Sequence, residues 1–169
     1  MDKAREICKE MLHQRKYKII KEDKNIINVE QPDKTNLVVM FCDKIEKFNI
    51  RTLKHYISEL NNMDVNHAII IHDSIITSYT KKFLEEKHID ITLELFHIDD
   101  LQYNITKHIL QPQFRKLSTK ESSEFKVKHT SRLPRMYLDD PIARFYNYSS
   151  GDIIEITRKD TSVIYRIVN

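Results

Sequence analysis

The chain of 169 residues contains a single glycine, Gly151. Glycine takes positive φ angles at little steric cost, so a chain that otherwise avoids it is expected to keep this one for such an angle or for a close backbone approach. The shortage of glycine also excludes a glycine-rich phosphate-binding loop, because that motif needs several glycines.

The first hundred residues alternate between two hydrophobic periodicities. Apolar residues at helical spacing predict helices that include Ala4–Leu12, Ile50–Met63 and Ser78–His88. Short apolar runs predict strands at Tyr17–Ile20, Ile26–Val29, Leu37–Cys42, Ala68–Ile71 and Ile91–Phe96. Because strands alternate with helices, this region is predicted to be an α/β module with a central sheet that is covered on both sides.

The last forty residues contain several local signals. Asp140-Pro141 predicts a helix start, because aspartate can accept a hydrogen bond at the N-cap and proline is favoured at the first helical position. The helix is predicted to be short, since Asn147–Gly151 is typical of a turn. Two β-branched runs, Ile153–Arg158 and Val163–Val168, predict a terminal hairpin around Lys159–Ser162.

A stiff segment precedes that helix. Pro134 fixes its own φ angle and favours an extended conformation at Leu133. The two flanking arginines, Arg132 and Arg135, are therefore predicted to lie on a rigid stretch of backbone.

These motifs resemble the signature of the fifth subunit of eukaryotic DNA-directed RNA polymerases, a family that also has a shorter archaeal counterpart. The matching positions are Leu133, Pro134, Arg135, Asp140, Pro141, Ala143, Arg144, Gly151, Asp152, Arg158, Tyr165 and Arg166. Upstream, Asn104–Pro112 resembles the link between the two modules of the family, and Lys126–Lys128 also fits. The order and spacing of these motifs make the resemblance specific.

The resemblance implies a two-module organisation. Residues 1–110 would form a jaw module with an endonuclease-like α/β/α fold, and residues 119–169 a small α+β assembly module that ends in a β-hairpin. Residues 111–118 would form an exposed connector, because Pro112 interrupts regular structure and the charge balance changes there.

The resemblance also implies a non-catalytic polymerase subunit that needs no cofactor and no metal. The C-terminal module would dock onto the largest polymerase subunit and help to assemble the enzyme, and the jaw would lie beside downstream DNA. The partner-binding residues carried over from the family are Leu133, Pro134, Arg135, Asp140, Pro141, Ala143, Arg144, Gly151, Arg158, Tyr165 and Arg166.

Charge is unevenly distributed along the chain. Residues 1–110 carry 17 Lys/Arg and 18 Asp/Glu, whereas residues 111–169 carry 11 Lys/Arg and 7 Asp/Glu. The basic residues proposed to lie near nucleic acid are Arg115, Lys116, Lys120, Lys126 and Lys128. Two interpretations remain open: a solvated linker surface, or a surface near nucleic acid or an acidic partner. Any binding of duplex DNA is expected to be weak and non-specific.

Nuclease chemistry is not expected, although the family fold is related to restriction endonucleases. Such enzymes need carboxylates and a lysine on adjacent strands to hold Mg²⁺ and activate water. Glu22–Lys24, Glu85–Lys87 and Glu124–Lys126 fit the short pattern, but in a chain that is 31% charged such matches arise by chance. None of them lies on the predicted strand Leu37–Cys42.

Two alternative functions differ in class from a polymerase subunit: a free-standing nucleic-acid-binding protein of endonuclease-like fold, and an active nuclease. Cys8 and Cys42 are expected to be buried reduced thiols in an intracellular protein. No apolar run is long enough to span a bilayer, so no membrane association is expected. The expected location is the nucleus for a cellular protein, and the virion or a cytoplasmic viral factory for a viral one.

Several positions depart from the family pattern. Asn147 stands where the family usually has glycine, and asparagine can take the same left-handed conformation. The terminal hairpin turn is short and lacks glycine. The jaw is absent from archaeal members, so its presence indicates the eukaryotic type. Trimmed segments and a composition typical of an AT-rich genome favour a divergent version encoded by a large DNA virus.

Overall fold

A computed structural model describes residues 1–42, 47–63, 65–85, 91–128 and 132–169. They form two compact units, Met1–Tyr103 and Asn104–Asn169. The mixed α/β class predicted from the sequence is confirmed.

The N-terminal unit combines three helices with seven strands in its described residues. In chain order they are α1 (Asp2–Gln14), β1 (Lys18–Glu22), β2 (Ile26–Glu30), β3 (Asn36–Phe41), β4 (Lys47–Phe48), α2 (Ile50–Asn62), β5 (His67–His72), β6 (Ile75–Ile76), α3 (Ser78–Glu85) and β7 (Thr92–His97). Two 3-10 turns follow, at Ile98–Leu101 and, in the C-terminal unit, at Ile105–Lys107.

A five-stranded mixed sheet organises this unit, with the order β1-β2-β3-β5-β7. Strands β3, β5 and β7 are parallel, and β1 and β2 add an antiparallel edge. The two central strands β3 and β5 are almost wholly buried, as expected for continuous apolar runs. The short strands β4 and β6 form a separate parallel pair.

The helices follow the predicted periodicity. The buried residues of α1 are the five apolar residues at helical spacing, Ala4, Ile7, Cys8, Met11 and Leu12. Helix α2 begins after Asn49, whose Oδ1 accepts hydrogen bonds from the backbone N–H groups of Arg51 (2.9 Å) and Thr52 (3.1 Å). The last part of the predicted helix Ser78–His88, after Glu85, lies outside the described residues.

In its described residues, 104–128 and 132–169, the C-terminal unit is a four-stranded sheet with two α-helices. Its elements are β8 (Gln113–Lys116), α4 (Thr119–Lys128), β9 (Arg135–Met136), α5 (Pro141–Tyr146), β10 (Ile153–Thr157) and β11 (Val163–Val168). The strand order is β8-β10-β11-β9; β10 is antiparallel to β8 and β11, and β9 is parallel to β11.

Within the predicted connector, residues 111–118, the structure has an edge strand instead of an irregular linker. Strand β8 pairs with β10, with Phe114 opposite Ile156 and Lys116 opposite Ile154. Pro112 and the change in charge balance, on which the prediction of an exposed connector rests, are local features of the sequence. The strand forms because its partner lies about forty residues later in the chain, and tertiary pairing overrides local propensity.

Four of the backbone positions with positive φ angles mark turns. Gly151 has φ +90°, and a Cβ added there would meet nothing within 4 Å, so the angle rather than space requires glycine. Asn147 ends α5 in the left-handed conformation with φ 54°. Thr161 takes φ 65° in the hairpin turn that lacks glycine, and Lys34 takes φ 72° between β2 and β3.

Candidate partner-docking surface of the C-terminal unit

The segment around Pro134 joins the sheet at its edge. The carbonyl oxygen of Pro134 accepts a hydrogen bond from the backbone N–H of Ile167 (3.0 Å), and that of Met136 accepts from Asn169 (2.9 Å). Arg135, between them, is exposed on the edge strand. Of the stiff segment predicted around Pro134, only Arg135 lies in the two-residue parallel strand β9.

Helix α5 is built as its sequence predicts. The Oδ1 of Asp140 accepts a hydrogen bond from the backbone N–H of Ile142 (2.8 Å), and Pro141 occupies the first turn. Ala143 is 1% exposed and packs in the core, so its small side chain allows the helix to approach the sheet. The primary role of Asp140, Pro141 and Ala143 is therefore to start helix α5 and to let it pack on the sheet.

Strand alternation separates the family-motif residues onto two sides of the sheet. The α5 face carries Ile154, Ile156, Ile164, Arg166 and Val168, and its buried members pack with residues of α5. The opposite side, the α4 face, carries Glu155 and Tyr165; the ring of Tyr165 lies 4.5 Å (centroid to centroid) from that of Phe125 on α4. The predicted site residues consequently do not form one cluster.

On the α5 face a cavity of about 350 Å³ lies beside Arg166. Its walls include apolar side chains of Phe114, Met136, Ile142, Ile156 and Ile164, and its polar lining includes Asp140, Arg158 and Arg166. Within the described residues, the Nε of Arg166 is buried and has no hydrogen-bond partner. Leaving a buried donor unsatisfied costs about 1–3 kcal/mol, so Arg166 is a position where the described part of the unit lacks an acceptor.

On the α4 face a second cavity, of about 340 Å³, collects other predicted residues. It is lined by Phe125, Lys126, Arg132, Leu133, Arg135, Ile153, Ile167 and Asn169. The structure therefore brings Leu133, Arg135 and Lys126 together here, away from Arg158 and Arg166. Of the remaining predicted residues, Arg144 lies on α5, Pro134 precedes β9 and Gly151 lies in the turn before β10.

Arg115 is held by carboxylates on the α4 face. It forms a bidentate pair with Glu155 (Nε–Oε1 2.9 Å, Nη2–Oε2 3.0 Å), and its Nη1 lies 2.8 Å from Oε1 of Glu121. The Tyr165 hydroxyl also donates to Glu155 (3.2 Å). Hydrogen bonding from Arg115 lowers the pKa of Glu155. Sequence reasoning missed this pairing because the partners lie forty residues apart.

Helix α4 starts with a reciprocal capping arrangement. The backbone N–H of Ser118 donates to Glu121 Oε2 (2.8 Å), and the N–H of Glu121 donates to Ser118 Oγ (3.3 Å). The hydrogen bond from the Ser118 backbone, followed by that from Arg115, lowers the pKa of Glu121 to about 2. This carboxylate links the helix start to the sheet.

The basic residues proposed to lie near nucleic acid divide into two groups. Arg115 is ion-paired as described, and Lys116 Nζ lies 2.8 Å from Asp152 Oδ2, so carboxylates of the same unit offset both charges. Lys120, Lys126 and Lys128 are exposed on α4. These ion pairs therefore leave the positive charges of the three α4 lysines without an offset.

The N-terminal unit contains a buried polar cluster that the sequence did not reveal. The guanidinium of Arg15 makes two hydrogen bonds to Glu94 (2.9 and 2.7 Å), and His67 Nε2 lies 2.8 Å from Glu94 Oε1. His67 Nδ1 lies 3.1 Å from Gln31 Oε1. Burial favours the neutral acid, but hydrogen bonding from His67 and the charge of Arg15 outweigh it and lower the pKa of Glu94.

No metal-binding group emerges from the part of the chain that the structure describes: it contains no cluster of three or more His, Cys, Asp or Glu residues suited to an ion. Across the same residues, no helix combines the length and apolar character needed to cross a membrane.

The C-terminal unit matches a known polymerase domain. Residues 103–168 match the family described as RNA polymerase Rpb5, C-terminal domain. The protein 454R of Invertebrate iridescent virus 6, provisionally named a DNA-directed RNA polymerase subunit, is 38% identical, and the alignment covers 98% of each chain.

Cellular relatives extend the similarity. Subunit rpabc1 of RNA polymerases I, II and III of Dictyostelium discoideum is 32% identical over 83% of this chain and 74% of its own. Subunit 5B of RNA polymerases IV and V of Arabidopsis thaliana is 30% identical over 98% and 88%. The chain therefore belongs to the Rpb5 family, whose members are non-catalytic subunits of DNA-directed RNA polymerases.

One solved structure shows a limited likeness. The apo form of EndoMS matches 56% of this chain and 46% of its own with a TM-score of 0.37 and 14% identity. A likeness at this level does not define a shared detailed fold.

Proposed function

We propose that the C-terminal unit docks this subunit onto the largest subunit of an RNA polymerase, and that the N-terminal unit is a jaw that lies near downstream DNA. The observation that carries the docking proposal is Arg166, whose side chain lines an open cavity of the C-terminal unit and whose buried Nε has no hydrogen-bond partner among the described residues. A folded unit that lacks an internal acceptor for a buried donor is suited to receive one from a partner.

The α5 helix supports this role indirectly. Asp140 and Pro141 start the helix beside the cavity, and Ala143 lets it pack closely on the sheet. These motif residues shape the surface, whereas the arginines Arg135, Arg144, Arg158 and Arg166 offer planar donors suited to carboxylates and carbonyl oxygens.

The charge distribution supports a secondary role for DNA contact. Residues 1–110 are near neutrality, so the jaw has few phosphate contacts to offer on its own. Within a polymerase, other subunits would hold the duplex and raise its effective concentration near the jaw. The exposed Lys120, Lys126 and Lys128 are the proposed additional contributors.

Location follows from the assembly. Its site of action would be the nucleus in a cellular host, or the virion or a cytoplasmic viral factory if the gene is viral. The similarity to a protein of Invertebrate iridescent virus 6 over nearly the whole chain supports the viral setting.

The test is affinity purification of the tagged full chain from cells that express its polymerase. We expect the largest subunit to co-purify with the tagged chain in near-equal amounts through a high-salt wash. Recovery of the chain without any large polymerase subunit would contradict the proposal.

A further inference from the structure

We propose that the cavity beside Arg166 receives an acidic side chain, followed or preceded by an apolar one, from another subunit of the polymerase. This inference rests on the proposed docking function and names the chemistry of the docked segment. It begins from Arg166, because a buried Nε without an acceptor points to a missing partner.

The strand neighbours of Arg166 cannot supply that acceptor through their side chains. Arg166 lies between Ile164 and Val168 on the α5 face and opposite Ile154 on β10. All three are aliphatic. A carboxylate suits this guanidinium best as a partner, because the Nε and one Nη of a guanidinium donate in parallel to its two oxygens.

The charges around the cavity favour an anion. Arg158 lies at the same cavity and is exposed. Of the acidic groups nearby, Asp140 Oδ1 caps α5, and Asp160 Oδ1 accepts hydrogen bonds from the backbone N–H (3.0 Å) and the hydroxyl (2.6 Å) of Ser162. Both carboxylates therefore already have donors within their own turns.

The apolar walls favour a peptide over a phosphate. Phe114, Ile156 and Ile164 line the cavity around the two arginines. An adjoining cavity of about 390 Å³ shares Pro112 and Arg158 with it and adds Leu110, which is 76% exposed. A segment that places a carboxylate on Arg166 can thus lay an aliphatic or aromatic neighbour on this apolar surface.

The first test is site-specific photo-crosslinking in the full chain within the purified polymerase. Benzoylphenylalanine replaces Leu110 beside the cavity or, as control, Val127 on α4, which is 81% exposed. We expect the Leu110 position to capture a polymerase-subunit peptide that contains Asp or Glu, and the Val127 position not to capture that peptide. Capture of nucleic acid, or of a peptide without an acidic residue, would overturn the inference.

The second test compares variants with matched controls. Arg166→Leu removes the unpartnered donor, and Arg158→Glu reverses an exposed charge whose change leaves the core intact. Lys81→Glu makes the same charge change at an exposed position of α3 to which no binding role is assigned. We expect each arginine variant to lower the amount of subunit bound to the polymerase by about tenfold or more, as for loss of a desolvated charge pair. Lys81→Glu should bind like the wild type.

Reversal of the crosslinked carboxylate to lysine should restore binding of Arg158→Glu. If wild type and both arginine variants co-purify equally with the polymerase, the cavity inference is wrong and the docking function stands. If the wild-type chain does not co-purify with any large subunit, the docking function itself is wrong.

Discussion

Two arginines, one in each unit, differ in whether their own unit supplies hydrogen-bond acceptors for their buried nitrogens. Arg15 in the N-terminal unit has a side chain that is 1% exposed, and Glu94 satisfies it with two hydrogen bonds. Arg166 in the C-terminal unit has a buried Nε with no partner among the described residues. The comparison separates an arginine that stabilises its own unit from one whose acceptor we propose to come from another chain.

The sharpest test of this contrast is Arg15→Leu. It leaves Glu94 buried beside His67 without its principal cation, and breaking a buried pair in this way costs about 3–5 kcal/mol. Urea unfolding, followed by hydrogen exchange of the β5 and β7 amides, measures the loss. The control Lys21→Leu breaks the exposed pair with Asp23 and should cost about 0–1 kcal/mol. If both variants lower the free energy of unfolding by the same small amount, the Arg15–Glu94 pair does not stabilise the N-terminal unit.

Gly151→Ala should cost about 1–2 kcal/mol in the C-terminal unit, because φ +90° strains any residue with a Cβ. Space is not the cause, since nothing lies within 4 Å of the added atom. The neighbouring Ser150→Ala is the control and should leave the unfolding midpoint unchanged. A neutral Gly151→Ala would show that the turn adopts another conformation in solution.

Asp140→Ala should cost about 1 kcal/mol through loss of the α5 cap. Thermal unfolding of the C-terminal unit reports the change, and the exposed neighbour Asp139→Ala serves as control. We also expect a modest fall in polymerase binding for Asp140→Ala, because α5 shapes the cavity wall. Indistinguishable stabilities for the two variants would contradict the capping role.

The smallest stability effect is the pH dependence from Glu121. Its folded pKa of about 2 lies below the ordinary value of 4.5, so its contribution is present above that ordinary value and is lost as the pH falls towards 2. Stability of wild type and Glu121→Gln should therefore differ at neutral pH and converge between about pH 4.5 and 2. A constant difference across that range would exclude the proposed linkage.

DNA binding by the purified full chain should be weak. Few neutralised phosphates give a Kd on the order of 10⁻⁴–10⁻⁶ M at physiological salt with a shallow salt dependence. A titration across a salt series with two unrelated duplexes measures both quantities. Nanomolar, sequence-selective binding would instead support a free-standing DNA-binding protein.

The sequence predicted elements whose signal is local. The apolar spacing of α1, the Asp140-Pro141 start of α5 and the positive φ of Gly151 all depend on neighbouring residues and are confirmed. Strand β8 was missed, because its structure depends on pairing with β10 forty residues away.

The candidate site was less predictable for the same reason. Strand alternation alone separates Tyr165 from Arg166, but only the packed structure shows that Arg166 lines a cavity and that its Nε is buried without a partner among the described residues. It also shows that Arg115 forms ion pairs with Glu121 and Glu155. From local charge alone, Arg115 was predicted to be a basic residue near nucleic acid.

The most direct test of the docking account is a comparison of two tagged fragments, residues 1–103 and residues 104–169, expressed beside the polymerase. Circular dichroism first establishes that each fragment is folded. The account predicts that the C-terminal fragment co-purifies with the largest subunit and competes with the full chain, and that the N-terminal fragment does neither. Incorporation of the folded N-terminal fragment, with exclusion of the folded C-terminal one, would contradict it.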